Sequence, residues 1–137
     1  MCKLCDFGTA RFNTQANNDT LLTLRGTYEY VAPEVLGKTA YVSASDIYSF
    51  GIILYELMTR TISGKYSGPY ESLRMPSVAI LVRVTRGTRP PIPPVCPPEV
   101  KALIERCWDA KPEVRPSSSE LIAALTILSE QDISPSV

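Results

Sequence analysis

The sequence predicts a mainly α-helical fold, and three observations carry that expectation. From Pro98 onward, Val100, Leu103, Ile104, Cys107 and Trp108 follow the i, i+3, i+4, i+7, i+8 stripe of a helix with one buried face. Ser117-x-x-Glu120 has capping-box spacing, each residue able to satisfy a backbone amide at a helix start, and Leu121, Ile122, Leu125 and Leu128 follow to supply another buried face. After Ser43 runs the third stretch, whose apolar residues cover nearly the whole circumference of a helix. The chain has 137 residues, 45% apolar and 20% charged. A chain of that size buries roughly two-thirds of its extended surface, enough for one core if no other segment contributes to it.

Taken in order, residues 1–5 are short and apolar and read as the end of a strand running into Asp6. Residues 9–30 lose periodicity. Asn13, Asn17, Asn18 and Asp19 cluster with Thr14, Thr20 and Thr23, a composition that competes with regular structure and predicts a long exposed loop. A single helical turn follows Pro33 and stops at Gly37, a residue type that tolerates a left-handed closing conformation. Ser43-x-x-Asp46 resembles a capping box and opens the longest helix, with Ile47, Phe50, Ile52, Ile53, Leu54, Leu57 and Met58 burying most of its sides. That helix reads as the central post of the domain.

Residues 61–76, with Gly64, Gly68, Pro69 and Pro76, read as a loop. Residues 77–86 are ambiguous. Val78, Leu81 and Val82 fit a helical face while Ile80, Val82 and Val84 alternate as in a strand; the pattern leans to helix, ended by Gly87. The six prolines between Pro90 and Pro98 make a stiff connector or a ligand for a proline-binding module. Pro98 at a first helical turn and Glu99 beside the positive end of the dipole start the next helix, and residues 130–137 read as a flexible tail.

Composition narrows the function. Fourteen basic residues balance fourteen acidic ones with no basic run or stripe, so nucleic acid is not expected as a partner. No apolar stretch reaches the roughly 18 residues of a membrane span. Asp6 follows Met1 too closely for a signal peptide, so the expected setting is cytoplasmic, with no membrane partner. Cys2-x-x-Cys5 invites a zinc or redox reading, but Cys96 and Cys107 lack matching spacing and the chain has no histidine, so four reduced and mostly buried thiols are expected. Absence of histidine also excludes Ser-His-Asp and Cys-His nucleophile systems within these residues, because both require an imidazole as proton acceptor.

Chemistry enters with Asp6-Phe7-Gly8, an aspartate on a tight turn and a suitable ligand for Mg2+, which favours hard carboxylate oxygens. Order and spacing give the triplet weight. It is followed by Gly26-Thr27-Tyr28-Glu29-Tyr30-Val31-Ala32-Pro33-Glu34, then by Ser45-Asp46-Ile47-Tyr48-Ser49-Phe50-Gly51, then by Cys107-Trp108-Asp109-Ala110-Lys111-Pro112-Glu113-Val114-Arg115-Pro116. In this order the four motifs resemble the helical C-terminal lobe of the protein kinase superfamily, from its Asp-Phe-Gly motif onward. The last two look most like tyrosine kinases and the tyrosine-kinase-like group of serine/threonine kinases.

The resemblance implies a partial protein-kinase-like fold over residues 1–129, with an activation segment at 6–34, a helical lobe at 35–129 and the nucleotide lobe absent. It implies that Asp6 holds Mg2+ against ATP phosphates, that Phe7 packs between lobes and that Gly8 completes the turn. It pairs Glu34 with Arg115, tying the activation segment to the loop before the last helix; two solvated surface charges are the plainer alternative. Asp46 would anchor the catalytic-loop backbone, or else be a helix N-terminal acid stabilised by the dipole. Thr27, where tyrosine kinases tend to place a proline nearby, favours serine/threonine protein substrates. Thr14, Thr20 and Thr23 are candidate phosphosites for an upstream kinase, or polar loop residues and no more.

Several family parts have no counterpart here. The glycines at 8, 26, 37, 51, 64, 68 and 87 cannot form a Gly-x-Gly-x-x-Gly loop, Val78-Ala79-Ile80 is followed by Leu81 instead of the phosphate-binding lysine, and no His-Arg-Asp loop is present. Phosphoryl transfer depends mainly on positioning and electrostatic stabilisation, so these residues alone are expected to be inactive and to bind neither ATP nor Mg2+. The chain thus resembles the second half of an ATP-dependent kinase. Its alternatives are a non-catalytic kinase-like interaction module and a zinc-binding helical protein. Without the helix that precedes the catalytic loop in kinases, apolar surface on the central helix should be exposed.

Overall fold

The structure, a computed structural model, describes residues 3–8, 10, 28–37 and 42–130. Among them the fold is helical with no strand: α1 (Pro33–Leu36), α2 (Ser43–Ser63), α3 (Ser77–Thr85), α4 (Pro98–Cys107) and α5 (Ser118–Glu130), with single 3-10 turns at Tyr28–Tyr30, Glu71–Leu73 and Pro112–Val114. Residues 3–5 form no strand, a correction to the reading of the N-terminus, because no neighbouring strand in the described chain pairs with them. The expected tail after Glu130 lies outside the described residues.

Helix α2 packs chiefly on α4, while α1 packs on α3 and α5 on α4. Tyr48, Ile52 and Tyr55 share one cluster with Val100 and Ile104 of α4, with Trp108 that caps it, with Ile80 and Val84 of α3, and with Ala32, Tyr70 and Cys96. A second cluster sets Ile47, Phe50 and Leu54 against Leu103, Cys107, Leu121, Ala124, Leu125 and Leu128. The side of α2 carrying Ile53 and Leu57 is exposed, so α2 is buried on fewer sides than its composition predicts.

The start of α2 is set one residue earlier than the Ser43/Asp46 spacing suggests. Val42 occupies the cap position, and its N–H donates to Ser45 Oγ at 3.3 Å. Val42 has no side-chain acceptor, so Ser45, three residues into the helix, reaches back to satisfy the cap amide. The helix also outlasts its predicted end. Thr59 and Thr61 donate their hydroxyls to the Tyr55 and Leu57 carbonyls at 2.8 and 2.9 Å, which lets polar residues remain helical until Gly64 closes the helix at φ 69°.

Residues 77–85 are helical: Ile80 and Val84, one turn apart, are buried and Val82 is exposed, as a helix requires and a strand forbids. A Schellman closure ends it, with Gly87 N–H on the Val84 carbonyl at 3.0 Å and Thr88 N–H on the Arg83 carbonyl at 2.9 Å. Gly87 sits at φ 95°, where a Cβ is strained. Gly87→Ala is therefore expected to lower the unfolding free energy by about 1–2 kcal/mol, read as an earlier urea midpoint with an unchanged slope. Gly37, by contrast, closes α1 at φ −75° and uses no left-handed conformation. The proline segment turns at Pro93–Cys96 and lies against α2, with Pro90 buried and the Tyr55 hydroxyl donating to the Pro91 carbonyl at 3.3 Å.

The capping box at Ser117 forms in full: Ser117 N–H donates to Glu120 Oε2 at 2.8 Å and Glu120 N–H to Ser117 Oγ at 3.2 Å. That backbone amide, together with Arg106, draws the exposed Glu120 carboxyl down to about 2. Leu121 is buried and Leu125 and Leu128 partly so, but Ile122 is 65% exposed, a correction to the predicted face of α5. Ala124 takes its place, because it shares the side of α5 that carries Leu121 and Leu128 and packs against the cluster of Leu103 and Cys107 on α4.

Candidate functional site

The polar centre of the domain is assembled on Arg115, whose side chain is 0% exposed. Its guanidinium donates from Nη1 and Nη2 to the two oxygens of Glu34 at 2.7 and 2.8 Å, across 81 residues of chain. Nη1 also reaches the Ala44 carbonyl at 2.9 Å and Nε the Asp109 carbonyl at 2.9 Å. The planar fork suits such bidentate recognition, which a point-charge ammonium would not reproduce. Four segments thus converge on one side chain: the start of α1, the start of α2, the loop after α4 and the turn before α5.

Glu34 is 12% exposed at its side chain and accepts a further hydrogen bond from Ser45 Oγ at 2.8 Å. Burial works against its charge, but hydrogen bonds from Arg115, from its own backbone amide and from Ser45 outweigh that penalty and hold the carboxyl below its ordinary range. Tyr48 lies beneath, its ring centroid 5.1 Å from the guanidinium carbons of both Arg115 and Arg89. Arg89 in turn donates to the carbonyls of Trp108, Val84 and Thr88 at 2.9, 3.1 and 2.9 Å, binding the end of α3 to that of α4.

Two buried phenols beside this centre lack hydrogen-bond partners. The Tyr48 and Tyr70 hydroxyls are close enough to perturb one another yet outside hydrogen-bonding geometry. Burial pushes both above the ordinary tyrosine range. Cys107, buried against Gly51, is pushed up to about 11 by the same loss of solvent, which makes it a structural thiol. Cys96 is also buried and Cys5 is exposed, so two of the three described thiols are buried and all three are free; Cys2 lies outside the described residues.

The 3-10 turn at Tyr28–Tyr30 is anchored from α2. The Tyr30 phenol donates to Glu56, lying 2.9 Å from both carboxylate oxygens, and Ser49 Oγ donates to the Tyr30 carbonyl at 2.8 Å. Burial and then Glu56 raise Tyr30 above its ordinary range. Beside this turn opens a cleft of about 580 Å3, bounded by Glu29, Tyr70, Glu71, Arg74, Met75 and Ile80. Arg74 holds φ 46°, a sparsely populated conformation for a residue with a Cβ.

Of the sequence-predicted residues, Glu34 and Arg115 are brought together. Asp46 lies exposed in the first turn of α2. Asp6 stands at φ 64° and Phe7 is 66% exposed, with the Phe7 carbonyl accepting from Ala10 N–H at 3.0 Å. Thr14, Thr20, Thr23 and Thr27 lie outside the described residues. Mg2+ requires several hard oxygens, and no group of three metal-ligating side chains occurs among the described residues. Asp6 by itself does not fit a complete metal-nucleotide site. No helix of the described residues is long and apolar enough to cross a membrane. Sequence reasoning missed Ser45 and Glu56, which meet Glu34 and Tyr30 across 11 and 26 residues of chain, and Arg89, whose partners are backbone carbonyls.

Comparison with known proteins gives this arrangement a context. The family description "Protein tyrosine and serine/threonine kinase" matches residues 1–125. The chain is 39% identical over 132 residues to stress-activated protein kinase alpha of Dictyostelium discoideum, covering 94% of this chain and 21% of that protein. It is 38% identical over 134 residues to ankyrin repeat-containing protein kinase A of the same organism, covering 94% of this chain and 9% of that protein. A probable LIM domain-containing serine/threonine-protein kinase, also from Dictyostelium discoideum, is 39% identical over 128 residues, with 93% and 18% coverage. The chain spans about a fifth or less of the length of these curated relatives.

Proposed function

Because this chain belongs to the protein kinase superfamily, we propose that it is the C-terminal portion of an ATP-dependent kinase of the tyrosine-kinase-like group that phosphorylates serine or threonine in protein substrates. The observation that carries this reading is the Glu34–Arg115 bond, which ties the segment after Thr27 to the helical lobe. Thr27 and the serine/threonine kinases among the similar proteins favour the same acceptor class.

In this proposal Asp6 contributes one carboxylate to Mg2+ bound with ATP, and residues 6–34 act as the activation segment, with Thr14, Thr20 and Thr23 as its regulatory phosphosites and Asp46 bracing the catalytic loop. These 137 residues contain no glycine-rich loop, phosphate-binding lysine or catalytic loop, so by themselves they are inactive. Titrating the chain with ATP, with and without Mg2+, is expected to show no binding in the micromolar range. Micromolar affinity would overturn the inactivity of the isolated residues. The coding sequence upstream of Met1 is expected to contain an in-frame catalytic loop, and the protein that includes it is expected to phosphorylate serine or threonine peptides in preference to tyrosine peptides. A verified stop codon there would leave the non-catalytic interaction module as the reading.

A further inference from the structure

Glu56 collects two phenols from opposite sides. Tyr30 meets it from the 3-10 turn, 2.9 Å from each oxygen, and Tyr66 donates to Oε1 at 3.1 Å from the loop that follows α2. Left-handed Gly64 turns that loop out of the helix, and residues 63–67 are all exposed. Tyr66 is 67% exposed, whereas every other tyrosine among the described residues is buried or half-buried. One carboxylate therefore joins an accessible phenol to the turn that precedes Glu34.

We propose that Tyr66 is a phosphorylation site and that its phosphoryl group opens the Tyr30–Glu56–Tyr66 bridge. In the modifying step, carried out by a separate tyrosine-directed kinase with ATP, the phenol oxygen attacks the γ-phosphorus. The bond from that phosphorus to the oxygen bridging the β-phosphate breaks, ADP leaves, and the phenol proton passes to a base of the modifying enzyme. The resulting aryl phosphate has no hydroxyl with which to donate to Glu56. It also brings a charge of about −1.5 to −2 to a carboxylate that already serves Tyr30. Like charges at hydrogen-bond distance separate, so the loop leaves Glu56, and Glu56 shifts on the helix that holds Tyr30. The Tyr28–Tyr30 turn then keeps its Ser49 bond but loses the fixed position of its phenol. This site differs from the threonines at 14, 20 and 23, and its chemistry is independent of whether the parent protein transfers phosphate.

The test uses the full 137-residue chain, a tyrosine-directed kinase of broad specificity and MgATP. Phosphate is expected at Tyr66 about tenfold faster than at any other tyrosine among the described residues, and faster still in Glu56→Gln, where the phenol loses its charged acceptor. Once modified, the chain is expected to exchange the Val31 amide hydrogen, bonded to the Tyr28 carbonyl, about tenfold faster than before. Tyr66→Phe, which removes the donor without adding charge, should change that rate far less, and phosphorylation in Glu56→Gln should change it little. No phosphate at Tyr66, unchanged Val31 exchange after modification, or an effect as large without the Glu56 carboxylate would each overturn the proposal.

Discussion

Arg115→Met is expected to cost about 3–5 kcal/mol of folding free energy, because it strands the largely buried Glu34 carboxylate, 12% exposed, with Ser45 as its remaining side-chain donor. Methionine keeps much of the length and apolar contact of the arginine stem, so the loss reports the charge and its hydrogen bonds. The double variant Glu34→Gln/Arg115→Met is expected to lose less than the sum of its single variants, since no unpaired charge is then buried. Acid should imitate the single substitution. Glu34 has its folded pKa depressed by Arg115 and Ser45, against the opposing effect of burial. Its contribution is therefore present above the unfolded carboxylate value and lost as pH falls through the lower folded value. Urea unfolding measured across that acidic window should show declining stability, with a shallower decline in Glu34→Gln. If Arg115→Met unfolds within about 1 kcal/mol of the parent chain, the pair behaves as a solvated surface bridge and this account of the centre fails.

Gly51→Ala is expected to destabilise by about 1–3 kcal/mol, although alanine normally strengthens a helix interior by about 1 kcal/mol over glycine. A Cβ at Gly51 would stand 2.8 Å from Cys107 Cβ and 3.3 Å from Trp108 N, where α2 lies against the end of α4. Neither neighbour is the flexible end of a side chain. The helices must move apart, which loosens Ile52 and Tyr55 against Ile104 and Trp108, the centre of the larger cluster. Thermal unfolding provides the measurement, and Gly51→Ala/Cys107→Gly should recover part of the loss by removing the nearest obstructing atom. Stability equal to or above that of the parent chain would show that α2 and α4 can separate without cost.

Helices with a single apolar stripe and a side-chain cap were readable from the sequence. Residues 98–107 and the box at Ser117 with Glu120 fold as their spacing predicts, because those signals depend on neighbours within two turns. Failures arose where a distant partner decides. Ile122 has the right chemistry for burial, but the way α5 lies on α4 selects Ala124 beside Leu121, Leu125 and Leu128 instead. Threonine and serine at positions 59–63 look like loop formers until their hydroxyls find carbonyls one turn back. The candidate centre was half legible. Glu34 and Arg115 sit in recognisable motifs, whereas Glu56 is one carboxylate in an apolar helix, and nothing local predicts two phenols arriving from residues 30 and 66.

The long chain separation bridged by Arg115 also bears on the order of assembly. Closing an 81-residue loop demands more conformational entropy than any helix turn or cap in the domain, and the reward comes only after α2, α4 and the turn before α5 have nearly reached their places. Docking of α2 on α4, whose residues are fewer steps apart, belongs to the early part of the folding route, and the ion pair belongs to its end. Such a late contact acts chiefly as a brake on unfolding: its loss shortens the lifetime of the folded chain while leaving the rate of its formation nearly unchanged.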